Sequence, residues 1–221
     1  MREFVNLPKH SVFPLGEGCD PVQIAASINP AMSSWIAFKA RTNDLPQNFT
    51  CLILGATSAS GKTAISLARF LGAGRVIGAA RNKAALEKLD LDESIVVQDE
   101  VEKTDFSNLD EVDVVLDYIY GPLTLHLFKS LKTPKPVQYV HIGALSMEND
   151  VAIPGSLLRS KDITIRGSGP GAWDMKAFAQ TVPELLEAVQ KIPPQPVKTA
   201  KFEDVERVWK YEGPERLVMI P

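Results

Sequence analysis

The sequence predicts an α/β fold built on a doubly wound parallel sheet, with a small β unit contributed by both ends of the chain. Three observations carry that reading. Cys51-Leu52-Ile53-Leu54 is an unbroken apolar run, the pattern of a parallel strand buried on both faces. A glycine-bearing turn, an amphipathic stretch and a second apolar run follow it, and the alternation of strand and helix then continues to about Lys191. From Pro193 the rhythm changes to short strand-like pieces, of the same kind as the first 15 residues.

In chain order, Glu3 to Leu15 (EFVNLPKHSVFPL) reads as two short extended pieces broken at Pro8 and Pro14. Asp20-Pro21 starts a helix as cap and first helical residue, and Asn29-Pro30 starts another in the same way, running from Ala31 to Arg41. After the strand at Cys51, Ala64, Leu67, Ala68 and Leu71 recur at helical spacing, Gly72 is placed to cap that helix, and Arg75 to Ala80 is the second strand. Lys83 to Leu89 suits a short helix. Further strands are expected at Ser94–Val97, Val112–Leu116, Val137–Ile142 and Asp162–Arg166, with a helix from Gly121-Pro122 through Leu131. Trp173 to Lys191 reads as a long helix interrupted or kinked near Pro183. Pro193-Pro194-Gln195-Pro196 is a stiff linker. It leads to Val197–Phe202, a short helix over Val205–Trp209, and Arg216–Ile220.

The turn Gly55 to Gly61 opens the first of these crossover helices, so it points free backbone N–H groups and the positive end of the helix dipole at an anion. Two phosphate-binding readings compete. Ala56 to Thr63 fits a loose P-loop, with Asp113 or Asp117 available to help hold magnesium. The other is a dinucleotide fingerprint, Gly55-x-x-Ser58-x-x-Gly61, with serine where a middle glycine is commoner and would let pyrophosphate sit closer. The end of the second strand decides between them. Arg81-Asn82 stands where a dinucleotide fold meets the adenosine ribose, and arginine there suits a 2′-phosphate. NADPH is therefore the expected cofactor.

Ligands of such sheets lie across the carboxyl ends of the strands. The expected contact residues are thus Gly55 to Gly61, Arg81, Tyr118 to Gly121, Gly143 to Ser146 and Gly167 to Gly169.

Composition sets the other bounds. With 24 Lys and Arg against 27 Asp and Glu, the formal charge is −3, which gives no electrostatic case for nucleic acid or an anionic membrane. No apolar run approaches the ~20 residues needed to span a bilayer, and Met1-Arg2-Glu3-Phe4 is not followed by a signal-peptide core. Two cysteines, Cys19 and Cys51, and three scattered histidines form no ligand set at metal spacing. A cytoplasmic, metal-free protein is expected.

Several segments together resemble the medium-chain dehydrogenase/reductase superfamily, in its zinc-free quinone-oxidoreductase-like branch. They are EFVNLPKHSVFPL, NPAMSSWIAF, LILGATSASGKTAISLARFLGAGRVIGAARN, VDVVLDYIYGP, VQYVHIGALS, LLRSKDITIRGSG and FEDVERVWKYEGPERLVMIP, in that order. The resemblance implies a Rossmann-type domain over residues 21–192. Residues 1–20 would be residual strands of a GroES-like catalytic domain, most of which is missing. Residues 193–221 would return to that small β unit.

It also implies an NADPH-dependent oxidoreductase passing hydride to a quinone, an enone or another small carbonyl compound. Gly55, Thr57, Ser58, Ala59, Ser60 and Gly61 would hold the pyrophosphate, and Arg81, Asn82 and Lys62 the 2′-phosphate. Gly143, Ala144, Gly167 and Ser168 would flank the nicotinamide. Tyr118, Tyr120 and Ser34 are the candidate catalytic hydroxyls, and no residue is expected to hold a metal. Relatives commonly pair through the last strand of the sheet, so a homodimer is expected. The alternative is a non-redox isomerase, cyclase or binding protein on a degenerate scaffold.

Overall fold

The computed structural model describes residues 6–9 and 12–221. Its first helix, α1 (Pro21–Arg41), is capped by Asp20, whose carboxylate accepts from Val22 N at 2.8 Å and Gln23 N at 3.3 Å. The sequence suggests a second start at Asn29-Pro30, but the helix passes through Pro30 unbroken. Proline removes one backbone donor. Here that loss is offset by packing, because Pro30, Ala31 and Trp35 are all buried.

Strand β1 (Thr50–Leu54) is buried at every position and leads through a four-residue turn into α2 (Ala59–Phe70). Then come β2 (Arg75–Ala80), α3 (Lys83–Leu86), β3 (Glu93–Val96), β4 (Val114–Asp117) and α4 (Pro122–Ser130). The main unit closes with β5 (Val137–His141), α5 (Gly155–Ser160), β6 (Ile163–Gly167) and α6 (Met175–Lys191). The short helix α5 falls in a stretch the sequence leaves as loop. Helix α6 is continuous through Pro183, where a break is expected.

The six strands form one parallel sheet in the order β3-β2-β1-β4-β5-β6. The chain runs outward from β1 to β3, then returns to the other side of β1 and runs outward again to β6. The order therefore reverses between β1 and β4, and the crevice for a ligand opens at the carboxyl ends of those two strands.

Alternate residues feed two cores. Cys51, Ile53, Val114 and Leu116 face α1 and α2, whereas Leu52, Leu54, Val115 and Tyr139 face α4 and Leu157 of α5. A third cluster joins α1 to α6 through Trp35, Leu185 and Val189, with the Trp35 indole donating to Thr181 Oγ1 at 3.2 Å.

Beyond α6 the linker is tied back to α1 by two hydrogen bonds between Gln23 and the Gln195 backbone. β7 (Val197–Lys201) and β8 (Arg216–Ile220), joined through α7 (Val205–Val208), pair with each other in parallel, apart from the main sheet. The extended pieces expected between residues 3 and 15 fall partly outside the described residues, and the described ones there form no strand. Among the described residues no helix is long and apolar enough to cross a membrane.

Candidate functional site

The turn between β1 and α2 is shaped by two glycines with different tasks. Gly55 sits at φ +89°, in the left-handed region that a side chain resists. Gly61 lies where α2 crosses the strand end. A Cβ there would come 2.2 Å from the Gly55 carbonyl oxygen and 2.8 Å from Ala56 Cα. Ser58, at φ −69°, is the N-cap of α2, and its Oγ accepts from Gly61 N at 3.0 Å. The serine therefore replaces a glycine without backbone strain, and its hydroxyl is engaged by the helix.

The backbone N–H groups of Thr57, Ala59 and Ser60 have no partner among the described residues. They stand at the positive end of α2, an arrangement suited to an anion.

The same geometry rejects a P-loop. Helix α2 begins at Ala59, so Lys62 and Thr63 are already within it. Thr63 is fully buried with its hydroxyl on Ala59 O, and so has no reach to a metal. Asp113 accepts from Thr50 N at 2.7 Å and pairs with Lys135 at 2.8 Å. Asp117 is 0% exposed, and its carboxylate is filled by protein donors. Ile119 N (2.7 Å) and Tyr120 N (2.9 Å) donate to Oδ1, while Thr124 Oγ1 (2.6 Å) and Tyr139 Oη (2.5 Å) donate to Oδ2. Burial, reinforced by the Asp117 charge, pushes the Tyr139 hydroxyl far above its ordinary range, so it remains a donor. This carboxylate is the anchor of the β4–α4 turn, where Tyr120 (φ +61°) and Gly121 (φ +82°) are both left-handed. A strand ending in an acid followed by Tyr-Ile-Tyr-Gly is the trace this anchor leaves in the sequence.

A cleft of about 610 Å³, within the range of small-molecule sites, opens at these strand ends. Gly55, Thr57, Ser58, Arg81 and Tyr120 line it, as expected. The sequence reading missed the wall from Val97 to Glu102 behind β3, and the Leu145–Glu148 loop is covered only in part by the expected Gly143–Ser146. That loop is pinned to the β4 turn by Leu145 N to Tyr118 O (2.9 Å) and Ser146 N to Ile119 O (3.0 Å). Among the lining residues Arg81 is the one cation, and it has no ionic partner among the described residues. A second groove of about 570 Å³, near Phe38, Asn48 and Leu71, lies at the amino ends of the strands, where no strand-end turn or helix N-terminus converges.

Other expected residues fall elsewhere. Asn82 is the N-cap of α3, its Oδ1 taken by Ala85 N at 3.0 Å. Lys62 is exposed on α2, outside the cleft lining. Gly143, Ala144, Gly167 and Ser168 lie beyond the enclosed part of the cleft, at the ends of β5 and β6. Gly143 N donates to Asp117 O and Ser168 N to His141 O.

Two of the three catalytic candidates are corrected. Ser34 is 0% exposed, and its hydroxyl lies on the Pro30 and Ala31 carbonyls of its own helix. Tyr118 is buried in the α1-side core with its hydroxyl 3.5 Å from Ser33 Oγ, and burial pushes it up to about 12. Tyr118 follows β4 on the side that packs against α1, and Ser34 is a buried residue of α1 itself, which explains both. Tyr120 alone lines the cleft, its ring 4.1 Å from that of His141.

No protein-family model matches the chain. Among solved structures it resembles a 2-haloacrylate reductase (TM-score 0.76, 20% identity, 95% of this chain and 68% of that one). It also resembles a quinone oxidoreductase of Pseudomonas syringae pv. Tomato DC3000 (TM-score 0.71, 18% identity, 97% and 69%). At these identities the likeness concerns the fold. In sequence it is 33% identical over 224 residues to a probable NADPH-dependent quinone reductase, tdiC, of Emericella nidulans, covering 93% of this chain. These likenesses are consistent with the resemblance to the medium-chain dehydrogenase/reductase superfamily read from the sequence. The chain spans 63% of the length of that curated relative.

Proposed function

We propose that this chain binds NADPH across the carboxyl ends of β2, β1, β4 and β5 and acts as an oxidoreductase on a small quinone, enone or other activated carbonyl compound. The observation that carries the reading is the β1–α2 turn. It has no room for a Cβ at Gly61 and three N–H groups at the helix start without a partner among the described residues, and Arg81, without an ionic partner among them, stands in the same cleft wall. The 33% identity to a probable NADPH-dependent quinone reductase supports the same reading.

In this reading the α2 N-terminus holds the pyrophosphate, and the Arg81 guanidinium pairs with the 2′-phosphate by charge-assisted hydrogen bonds. When bound, NADPH supplies the hydride. Asp117 fixes the β4 turn, so Tyr120 faces the cleft, and the Tyr120 hydroxyl gives the proton to the substrate oxygen. Gly143, Ala144, Gly167 and Ser168 lie beside the second nucleoside.

A turnover screen following NADPH absorbance with quinones and enones tests the activity. Oxidation of NADPH by one of these classes, and its loss in Tyr120→Phe, is the expected result. Binding of NADPH with no turnover of either class would favour the non-redox alternative.

The division into residues 1–20, 21–192 and 193–221 goes with this reading, the two ends belonging to a substrate-side β unit. β6 is the edge of the sheet, and its Ile165 is 42% exposed, which supports a symmetric homodimer through that edge. The free thiols of Cys19 and Cys51 suit a reducing, cytoplasmic setting.

A further inference from the structure

Tyr120 lines the cleft, yet its backbone alone does not aim its hydroxyl. Asp117 holds Tyr120 N at 2.9 Å, and φ is +61°, a left-handed value that a bulky residue keeps only where its surroundings demand it. Two side-chain torsions still separate that anchor from the phenol. The chain has four tyrosines. The hydroxyls of Tyr118, Tyr139 and Tyr211 each have a side-chain partner, whereas that of Tyr120 has none among the described residues. What the Tyr120 ring does meet is His141, with centroids 4.1 Å apart and planes 32° from parallel. His141 is a rigid backing. It ends β5 between Asp117 of β4 and Gly167 of β6, and its carbonyl accepts from Ser168 N at 2.8 Å. Its Nδ1 is buried and unbonded, so the imidazole offers Tyr120 a flat face rather than a polar contact.

We infer that His141 is a positioning residue for Tyr120: its ring backs the phenol and keeps the hydroxyl on the cleft side, where the substrate oxygen takes its proton. The inference rests on the proton-donor reading of Tyr120 above and deepens it. A general acid works only from within hydrogen-bond reach of its acceptor, so the share of time the phenol spends in the productive rotamer enters the rate directly. A pair of stacked rings favours that rotamer by roughly two- to tenfold over its alternatives. His141 itself touches neither substrate nor cofactor in this role, because Tyr120 stands between it and the cleft.

The test is steady-state turnover of a quinone with NADPH, joined to a readout that needs no turnover: nitration of Tyr120 by tetranitromethane in the cofactor-free protein, followed by peptide mass. His141→Leu keeps bulk beside Tyr120 but has no aromatic face. Its kcat should fall roughly three- to tenfold with KM unchanged, and Tyr120, released from the stack, should nitrate faster. His141→Phe restores the face without the ring nitrogens, and should bring kcat and nitration back to within about twofold of wild type. His141→Val, a residue suited to a strand end, makes the same comparison if the leucine variant fails to fold. A leucine variant with wild-type kcat and nitration overturns the inference. So does a phenylalanine variant as impaired as the leucine one, or a rise in KM with kcat unchanged. If Tyr120→Phe is impaired and His141→Leu is not, the His141 inference falls alone. If Tyr120→Phe turns over like wild type, the proton-donor reading falls and takes the positioning role with it. If wild type turns over neither quinone nor enone, the redox reading falls, and nitration alone decides whether His141 holds Tyr120: faster in His141→Leu upholds the hold, and an unchanged rate overturns it.

Discussion

Substituting Gly61 by alanine sets two effects of opposite sign against each other. On helix propensity alone, alanine in place of glycine should stabilise α2 by up to about 1 kcal/mol. The new Cβ, however, would lie 2.2 Å from the Gly55 carbonyl oxygen, 2.8 Å from Ala56 Cα and 2.9 Å from Ala56 C. Ordinary contact begins near 3.4 Å, so the helix start and the turn must separate by about 1.2 Å. All three atoms are backbone, so no rotamer change relieves the clash. Overpacking of this kind costs about 1–3 kcal/mol, and rigid neighbours place it at the upper end. The net expectation is a loss of about 2 kcal/mol, a fall in melting temperature of about 4–8 °C for a chain of this size. Thermal melts followed by circular dichroism measure it. The same displacement should weaken binding at the free N–H groups of Thr57, Ala59 and Ser60. A melting temperature equal to or above wild type would show that the turn has slack, and would refute this account of Gly61.

Other expectations follow from single contacts. Ser58→Ala should lose about 1 kcal/mol of stability with its cap, and Ser58→Gly only a few tenths, as chemical denaturation would show. Asp117→Ala strands four donors, two of them the backbone groups that set the β4 turn, and should cost at least about 3 kcal/mol by the same measurement. Partial burial raises the Asp92 carboxyl, but hydrogen bonds from Val76 N and Arg69 and the Arg69 and Arg75 charges outweigh it, so the folded value lies below the ordinary one. Its stabilisation is therefore full above about pH 4 and lost as pH falls through the folded value. The difference in urea midpoint between wild type and Asp92→Asn should shrink below pH 4, and a constant difference would contradict this. Light scattering at micromolar concentration should find a dimer that Ile165→Lys weakens. A wild-type monomer would remove the β6 edge from the account.

Much of this fold was legible because its strands are buried on both faces and its turns carry glycine. Cys51–Leu54 is buried throughout, as its unbroken apolar run implies, and Gly55 and Gly72 both have positive φ where the sequence places a turn and a cap. Pro30 and Pro183 misled, since a proline signals a helix start or break locally, whereas burial along α1 and the apolar face of α6 decided in favour of continuity. Strand ends marked the cleft, but not which residues turn into it. Tyr118 continues the side of β4 that holds Val114 and Leu116 and goes to the α1 core, whereas the left-handed turn at Tyr120 breaks that pattern and puts it on the cleft. Nothing in the local sequence separates those two tyrosines. The four-donor cage of Asp117 depends on Thr124 and Tyr139 arriving from other elements, and no spacing rule announces it.

If Arg81 and the β1–α2 turn make a site for NADPH, calorimetric titration of the wild-type protein with NADPH and with NADH will separate the two nucleotides. NADPH should bind about ten- to a hundredfold tighter, the value of one charge-assisted contact, with the preference abolished in Arg81→Ala. Equal affinities for the two nucleotides, or a preference that survives loss of Arg81, would contradict this reading.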